Sequence, residues 1–252
     1  MIRRKFLSSA AVASAAGFSM ARAAENPGKE NSQVEFYELR SYEMAFRGSK
    51  AGLMNFLNET WRPILEKESV EYFYIFNELG AAEPSKLWTL TAYKNLEQFD
   101  RIFNLQKDEE IIKASEEYAS LGKTYSRYSS FLLRAFQGMP AMSALVEDKS
   151  LFELRIYEGE NEDAVRRKVM MFDKEEIKLF QEVGLDAVFF GNMMIGPHMP
   201  SLVYMLAFDD MDNRGSAWSR FLAHPDWDRM KNLPIYANTV SNIRKIFLEK
   251  TS

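Results

Sequence analysis

Glu38, Arg40 and Tyr42 stand two residues apart along Phe36-Tyr-Glu-Leu-Arg-Ser-Tyr-Glu43, and Glu153, Arg155 and Tyr157 repeat that spacing along Leu151-Phe-Glu-Leu-Arg-Ile-Tyr-Glu158. Alternate residues of an extended chain share one face and lie roughly 6.5–7 Å apart, within salt-bridge reach for side chains of this length. An acid, a guanidinium and a phenol held together can polarise an oxygenated ligand, and Arg can grip a carboxylate or phosphate through paired donors. The same groups could equally satisfy one another and fix how two parts of a fold pair, with little net stabilisation. The residue types leave both roles open.

Other chemistry is sparse. His198 lies in Gly-Pro-His-Met-Pro, which reads as a loop, and His224 precedes Pro225, where helical geometry is disfavoured and a bend or cap is expected. With two histidines and no Cys there is no local spacing for a tight metal site. Asp209, Asp210 and Asp212 precede a helical segment, whose positive end they suit. No G-x-S-x-G, G-x-x-x-x-G-K-[ST] or G-x-G-x-x-G occurs, so an esterase elbow and the usual nucleotide cradles are excluded. Aromatic residues are the remaining resource. Tyr72, Tyr74, Phe76, Trp88, Phe189 and Tyr204 fall on expected strands, where some would line an apolar cavity and most would pack a core.

The elements that must hold these groups are written twice. The two strings are identical at five of eight positions, and Glu38 and Glu153 are 115 residues apart. Each opens a unit with a period-two strand: Tyr37, Leu39 and Ser41 oppose Glu38, Arg40 and Tyr42, while Phe152, Leu154 and Ile156 oppose Glu153, Arg155 and Tyr157. A helical segment follows, carrying Leu53, Phe56, Leu57, Ile64 and Leu65 in the first copy and Val169, Phe172, Ile177 and Phe180 in the second. Aromatic and β-branched runs at 70–77 and 185–192, then strands at 87–93 and 202–208, continue each unit. Helices over about 96–118 and 213–231 and closing strands at 126–136 and 240–248 complete it. The order β-α-β-β-α-β, twice, predicts an α+β protein of two tandem ferredoxin-like units. One such unit leaves a sheet face bare, so the two are expected to bury those faces together. The units are placed at 34–137 and 150–252, with a linker at 138–149.

Tyr/Phe-Glu-Leu-Arg-x-Tyr at the start of a unit resembles the opening of a NIPSNAP domain. Trp218-Ser-Arg-Phe-Leu-Ala-His-Pro-Asp-Trp227 in the second copy resembles its helix motif, whereas the first copy has Phe103-Asn-Leu-Gln-Lys-Asp-Glu109 in that region. The resemblance implies the dimeric α/β-barrel superfamily, in which two ferredoxin-like units form a barrel around a shared cavity. Its members include cofactor-free monooxygenases, haem-degrading enzymes and chlorite dismutase-like haem proteins. On that footing the Glu-Arg-Tyr faces are expected to point into the barrel. With the Arg clusters and aromatics facing that cavity, a small apolar or anionic ligand is expected there, with cofactor-light oxygenation as one activity. A non-enzymatic scaffold is the alternative. No cofactor is predicted; haem, with His224 as axial ligand, is the lesser option that the resemblance raises.

The first residues point to export. Arg3-Arg4-Lys5-Phe6-Leu7, a weakly apolar run to Met20 and Ala21-Arg22-Ala23 resemble a twin-arginine signal over 1–23, followed by a polar leader over 24–33, which implies a periplasmic or otherwise exported protein. Cleavage after Ala23 would leave a net charge of −8, which argues against nucleic acid and anionic membrane as partners. The apolar run is too short to span a bilayer. A further homo-oligomer is compatible with the repeat.

Overall fold

The computed structural model describes residues 33–80, 83–120 and 122–251. The expected signal and all but the last residue of the expected leader lie outside them. Eight strands, β1 (Phe36–Met44), β2 (Phe73–Glu78), β3 (Lys86–Tyr93), β4 (Tyr125–Ala135), β5 (Leu151–Glu158), β6 (Asp186–Ile195), β7 (Ser201–Phe208) and β8 (Asn242–Lys250), close into one antiparallel barrel in the order β1-β3-β2-β8-β5-β7-β6-β4. Eight helical segments lie between them: α1 (Lys50–Asn55), α2 (Arg62–Lys67), α3 (Leu96–Asn104), α4 (Glu109–Ser120), α5 (Glu162–Met171), α6 (Ile177–Val183), α7 (Met211–Ala223) and α8 (Pro225–Lys231).

The repeat extends through the whole sheet. Arg40 sits opposite Thr89 and Ser130, and Arg155, 115 residues on, sits opposite Tyr204 and Lys245 at the same step. The two seams obey it as well: Phe76, Asn77 and Glu78 face Lys250, Glu249 and Leu248, while Gly191, Asn192 and Met193 face Ala135, Arg134 and Leu133. The barrel therefore has a pseudo-twofold relation between its halves, and closure leaves neither half an open edge.

Local chemistry sets the helix ends. Ser49, Asn95, Asn161 and Asp210 each accept a hydrogen bond from a first-turn backbone N–H. Asp210 thereby takes the capping role expected for the acidic run. Gly184 ends α6 in the left-handed conformation, φ +74°. A π turn, Phe56–Trp61, joins α1 to α2, and another, Phe172–Glu176, joins α5 to α6. Each half has such a turn at nearly the same place in its first helix.

The barrel interior is apolar. Leu39, Leu90 and Leu133 from one half meet Phe152, Leu154 and Met205 from the other, all fully buried. Eight strands give an interior just wide enough for side chains to fill. The Glu-Arg-Tyr faces point the opposite way, outward under the helices, which corrects the expectation that they line a shared interior. Period two separates the faces of a strand but does not say which face turns inward. The interior face is packed with apolar side chains, whereas on the outer face α7 brings Arg214 and Trp218 as donors to the Glu153 carboxylate. The linker also does more than connect. Glu35 N–H donates to the Pro140 carbonyl at 2.8 Å, Ser143 N–H donates to the Val188 carbonyl at 2.9 Å, and Met142 is buried in the interior core. It straps one end of the barrel.

Gly191 marks the tighter seam. A Cβ there would stand 2.8 Å from the Leu133 Cβ, closer than packed carbons tolerate. Gly191→Ala is expected to cost about 1–3 kcal/mol by overpacking, read as a lower thermal midpoint. An unchanged midpoint would show that the seam relaxes freely.

Candidate functional site

In the second half, β5 presents Glu153, Arg155 and Tyr157 to the helices, and α7 covers them. Glu153 is fully buried and accepts from Arg155 Nε at 2.8 Å, from Arg214 Nε and a terminal Arg214 nitrogen at 2.8 Å each, and from Trp218 Nε1 at 2.9 Å. Burial pushes this carboxyl up, but the Arg214 hydrogen bonds, the Arg155 charge and the Trp218 indole together hold it below the usual range. The Arg155 guanidinium lies 3.8 Å from the Trp218 ring centre and donates to the Tyr157 hydroxyl at 3.0 Å. Tyr157 in turn accepts from Tyr204 at 2.9 Å.

These groups open onto a cleft of about 480 Å³ between sheet and helices. Trp218, Phe221, Trp227 and Tyr236 supply aromatic surface, and α5 with its π turn supplies Lys168 and Glu176. Lys168 Nζ donates to Glu176 at 2.6 Å in a pair almost fully shielded from solvent, and it lies 4.6 Å from the Phe172 ring centre. Burial raises the Glu176 carboxyl above its ordinary range, and the Lys168 charge offsets this only in part. Five basic side chains line the cleft, Arg155, Lys168, Arg214, Lys231 and Lys245, against Glu176 alone. With Glu153 counted beneath them, positive charge still predominates.

The first half holds a counterpart. Glu38 accepts from Arg40 Nε at 2.6 Å, from the Ser130 hydroxyl at 2.7 Å and from the Tyr93 hydroxyl at 3.0 Å. Arg40 and Tyr42 line a separate cleft of about 440 Å³ beneath α1, the first π turn and α4. Burial raises the Tyr42 hydroxyl above its ordinary range, with the Arg40 charge opposing. The six strand residues picked from the sequence thus form two clusters on equivalent outer faces, and they do not meet.

His224 stands apart from both. It ends α7 and caps α8, its Nδ1 accepting from Asp226 N–H at 3.2 Å, as the bend-or-cap reading expects. Neither histidine lines either cleft, so no imidazole is placed to hold a haem there, and the axial-ligand option does not fit these residues. Glu182, His224 and Asp226 bring one donor atom each within 4.8 Å at the surface, but Asp226 also faces Arg229 at 3.5 Å. Sequence reasoning missed Lys168, Glu176 and Arg214. Lys168 and Glu176 are eight residues apart, and the π turn between them is what brings them onto one helix face. No residue spacing signals that turn.

Comparison picks out the second half of the chain, which carries Trp218 on α7 and Trp227 on α8. Residues 152–252 match the NIPSNAP family. The NIPSNAP segment contains all of the second cleft's lining. A solved NIPSNAP-like domain protein from Burkholderia xenovorans is 21% identical over 42% of this chain and 89% of its own, with a TM-score of 0.37. Other solved structures align over most of the chain. A candidate monooxygenase from Fusobacterium nucleatum is 8% identical, covering 88% of this chain and 94% of its own at a TM-score of 0.56. A mutant chlorite dismutase from Candidatus Nitrospira defluvii is 5% identical, covering 86% and 92% at a TM-score of 0.50. These two share the α+β barrel fold with this chain and no more than that is carried over. No curated protein matches the sequence. Among the described residues no helix is long and apolar enough to cross a membrane.

Proposed function

We propose that this protein binds a small molecule with an apolar body and an anionic group in the cleft of its NIPSNAP segment. The observation that carries the reading is the excess of basic side chains over aromatic walls in a pocket of ligand size. The ligand site of the sequence reading is thereby moved from the barrel interior to the space between sheet and helices. Arg155 and Lys245 occupy facing positions on β5 and β8 and so share the outer face. Lys245, which forms no ion pair among the described residues, is the cation best placed to meet an anionic group entering from the rim, with Arg155, held by Glu153, beside it. The reading requires no cofactor.

The β-α-β-β-α-β order and the common register support two tandem ferredoxin-like units as the source of the barrel. The twin-arginine-like start supports export to the periplasm or beyond. One observation favours chemistry over mere binding: Glu176, buried at the cleft wall with a raised carboxyl, could take a proton from a bound substrate while Lys168 holds the charge. Oxygenation without a cofactor would start with such a proton transfer to Glu176, leaving a substrate anion to reduce dioxygen.

Thermal shift with 2-naphthoate against neutral 2-naphthamide tests the binding reading. Naphthoate is expected to raise the midpoint, and both Arg155→Ala and Lys245→Glu to remove that rise. Arg155→Ala should still fold, because Glu153 keeps Arg214 and Trp218 as donors. Equal shifts by acid and amide, or shifts that survive both variants, would overturn it. A protein that answers no small acid and instead co-purifies with one constant partner would favour the scaffold.

A further inference from the structure

The two clefts occupy equivalent positions but differ in chemistry. Arg40, Tyr42, Tyr125 and Tyr128 line the first, and the residues 115 further on, Arg155, Tyr157, Val240 and Ile243, line the second. The resemblance ends with charge. Where the second half sets Lys245, the first sets Ser130, whose hydroxyl is spent on Glu38 at 2.7 Å. Arg40 and Glu116 are the charged lining residues of the first cleft, and Arg40 is already neutralised by Glu38 at 2.6 Å. No cation is left in excess. Its walls are Leu53, Phe56, Leu57 and Trp61 from α1 and the π turn, and its cover is α4.

α4 is built as a cover. None of its residues is fully buried, yet it turns Ile111, Ser115 and Tyr118 toward the cleft. It is held at its C-terminal end, where the Tyr118 ring stacks on Phe56 at 4.3 Å and the Tyr118 and Thr124 hydroxyls are hydrogen-bonded. On the sheet side, Tyr42 packs against Tyr125 and the half-exposed Tyr128 at 5.1 and 5.6 Å between ring centres, with Arg40 5.4 Å from the Tyr128 centre. An apolar chamber that ends in phenols and a compensated guanidinium offers hydrogen bonds without net charge.

We infer that the first cleft is a second, separate binding site, selective for a neutral and largely apolar small molecule that carries at most a hydrogen-bonding end. Uncompensated anions are excluded from it, because Arg40 is committed to Glu38 and Glu116 stands in the lining. One chain then holds two sites of similar architecture, one for an anionic and one for a neutral ligand. This assignment stands whether or not the second cleft binds anions.

A matched pair of probes tests it on the full chain: N-phenyl-1-naphthylamine, which is neutral, and its 8-sulfonate, which is anionic. The neutral probe is expected to bind saturably, with Ser115→Trp and Ala119→Trp each weakening it about tenfold or more by filling the cleft, and with Arg155→Ala leaving it unchanged. Both filled positions lie on α4, where no side chain is fully buried, and each variant's thermal midpoint checks that it folds. Neutral-probe binding that survives both filling variants, or that Arg155→Ala abolishes, would overturn the assignment. So would a sulfonate that competes for the same site with equal affinity.

Discussion

Glu153→Leu is expected to be the most damaging single substitution in the described fold, at about 3–5 kcal/mol, the usual cost of stranding a buried charge. For a protein of this size that is a fall of roughly 10 °C in the thermal midpoint. The carboxylate is fully buried and receives donors from Arg155, Arg214 and Trp218. Its removal leaves two guanidinium groups facing each other under α7. Glu153→Leu combined with Arg214→Met is therefore expected to recover part of the loss, a coupling that a double-mutant cycle measures. The pH dependence has a definite sign. The folded-state carboxyl is held below its ordinary value. Its contribution is therefore complete above the unfolded pKa, about 4.3, and is lost as pH falls through the lower folded value. The gap between wild type and Glu153→Leu should narrow in acid. A midpoint within about 2 °C of wild type at neutral pH would show that α7 rearranges and rehydrates the arginines.

Lys168→Met is expected to cost about as much at neutral pH, and with the opposite pH trend. It strands the Glu176 carboxylate, which is almost fully shielded. Glu176 already sits above its ordinary range by burial, with the Lys168 charge opposing, and removing Lys168 raises it further. The folded state then binds a proton that the unfolded chain releases near pH 4.3. Stability accordingly falls as pH rises from that value through the raised folded one. Thermal midpoints of Lys168→Met should diverge from wild type between about pH 5 and pH 8, while Lys168→Met with Glu176→Gln should lie close to wild type across that window. A gap independent of pH would mean that the lost contacts are packing ones, to Met171 and the Phe172 ring, and not charge.

How much of this was legible depends on the period of each element. The period-two strings around Glu38 and Glu153 gave both opening strands and their step, and the sheet keeps that step along the opening strands and through both seams, with a bulge between Ala187 and Phe189 as an exception. Pro225 and the aspartates before α7 announced a helix break and a cap through local backbone chemistry, and both are present. The helices were harder. A π turn in each first helix shifts the apolar positions by an amount that no single residue type encodes. Lys168 and Glu176 were invisible as a pair for that reason. Arg214 stayed hidden because its partner, Glu153, is 61 residues away in sequence and meets it only by packing.

Two near-identical strings 115 residues apart, and the place of Glu, Arg and Tyr on one face of each opening strand, were legible in the sequence. Alternation and local propensity reside in neighbouring residues, so they can be read there. Which face turns into the barrel was decided only by the tertiary structure. The choice depends on eight strands closing around an apolar interior and on α7 arriving with donors for the Glu153 carboxylate. That decision put the polar clusters under the helices and made two clefts where the repeat suggested one shared cavity. It also set their charges apart, because Lys245, Arg214 and Lys168 converge on one cleft from three separate elements, while Ser130 spends its hydroxyl on Glu38 at the other.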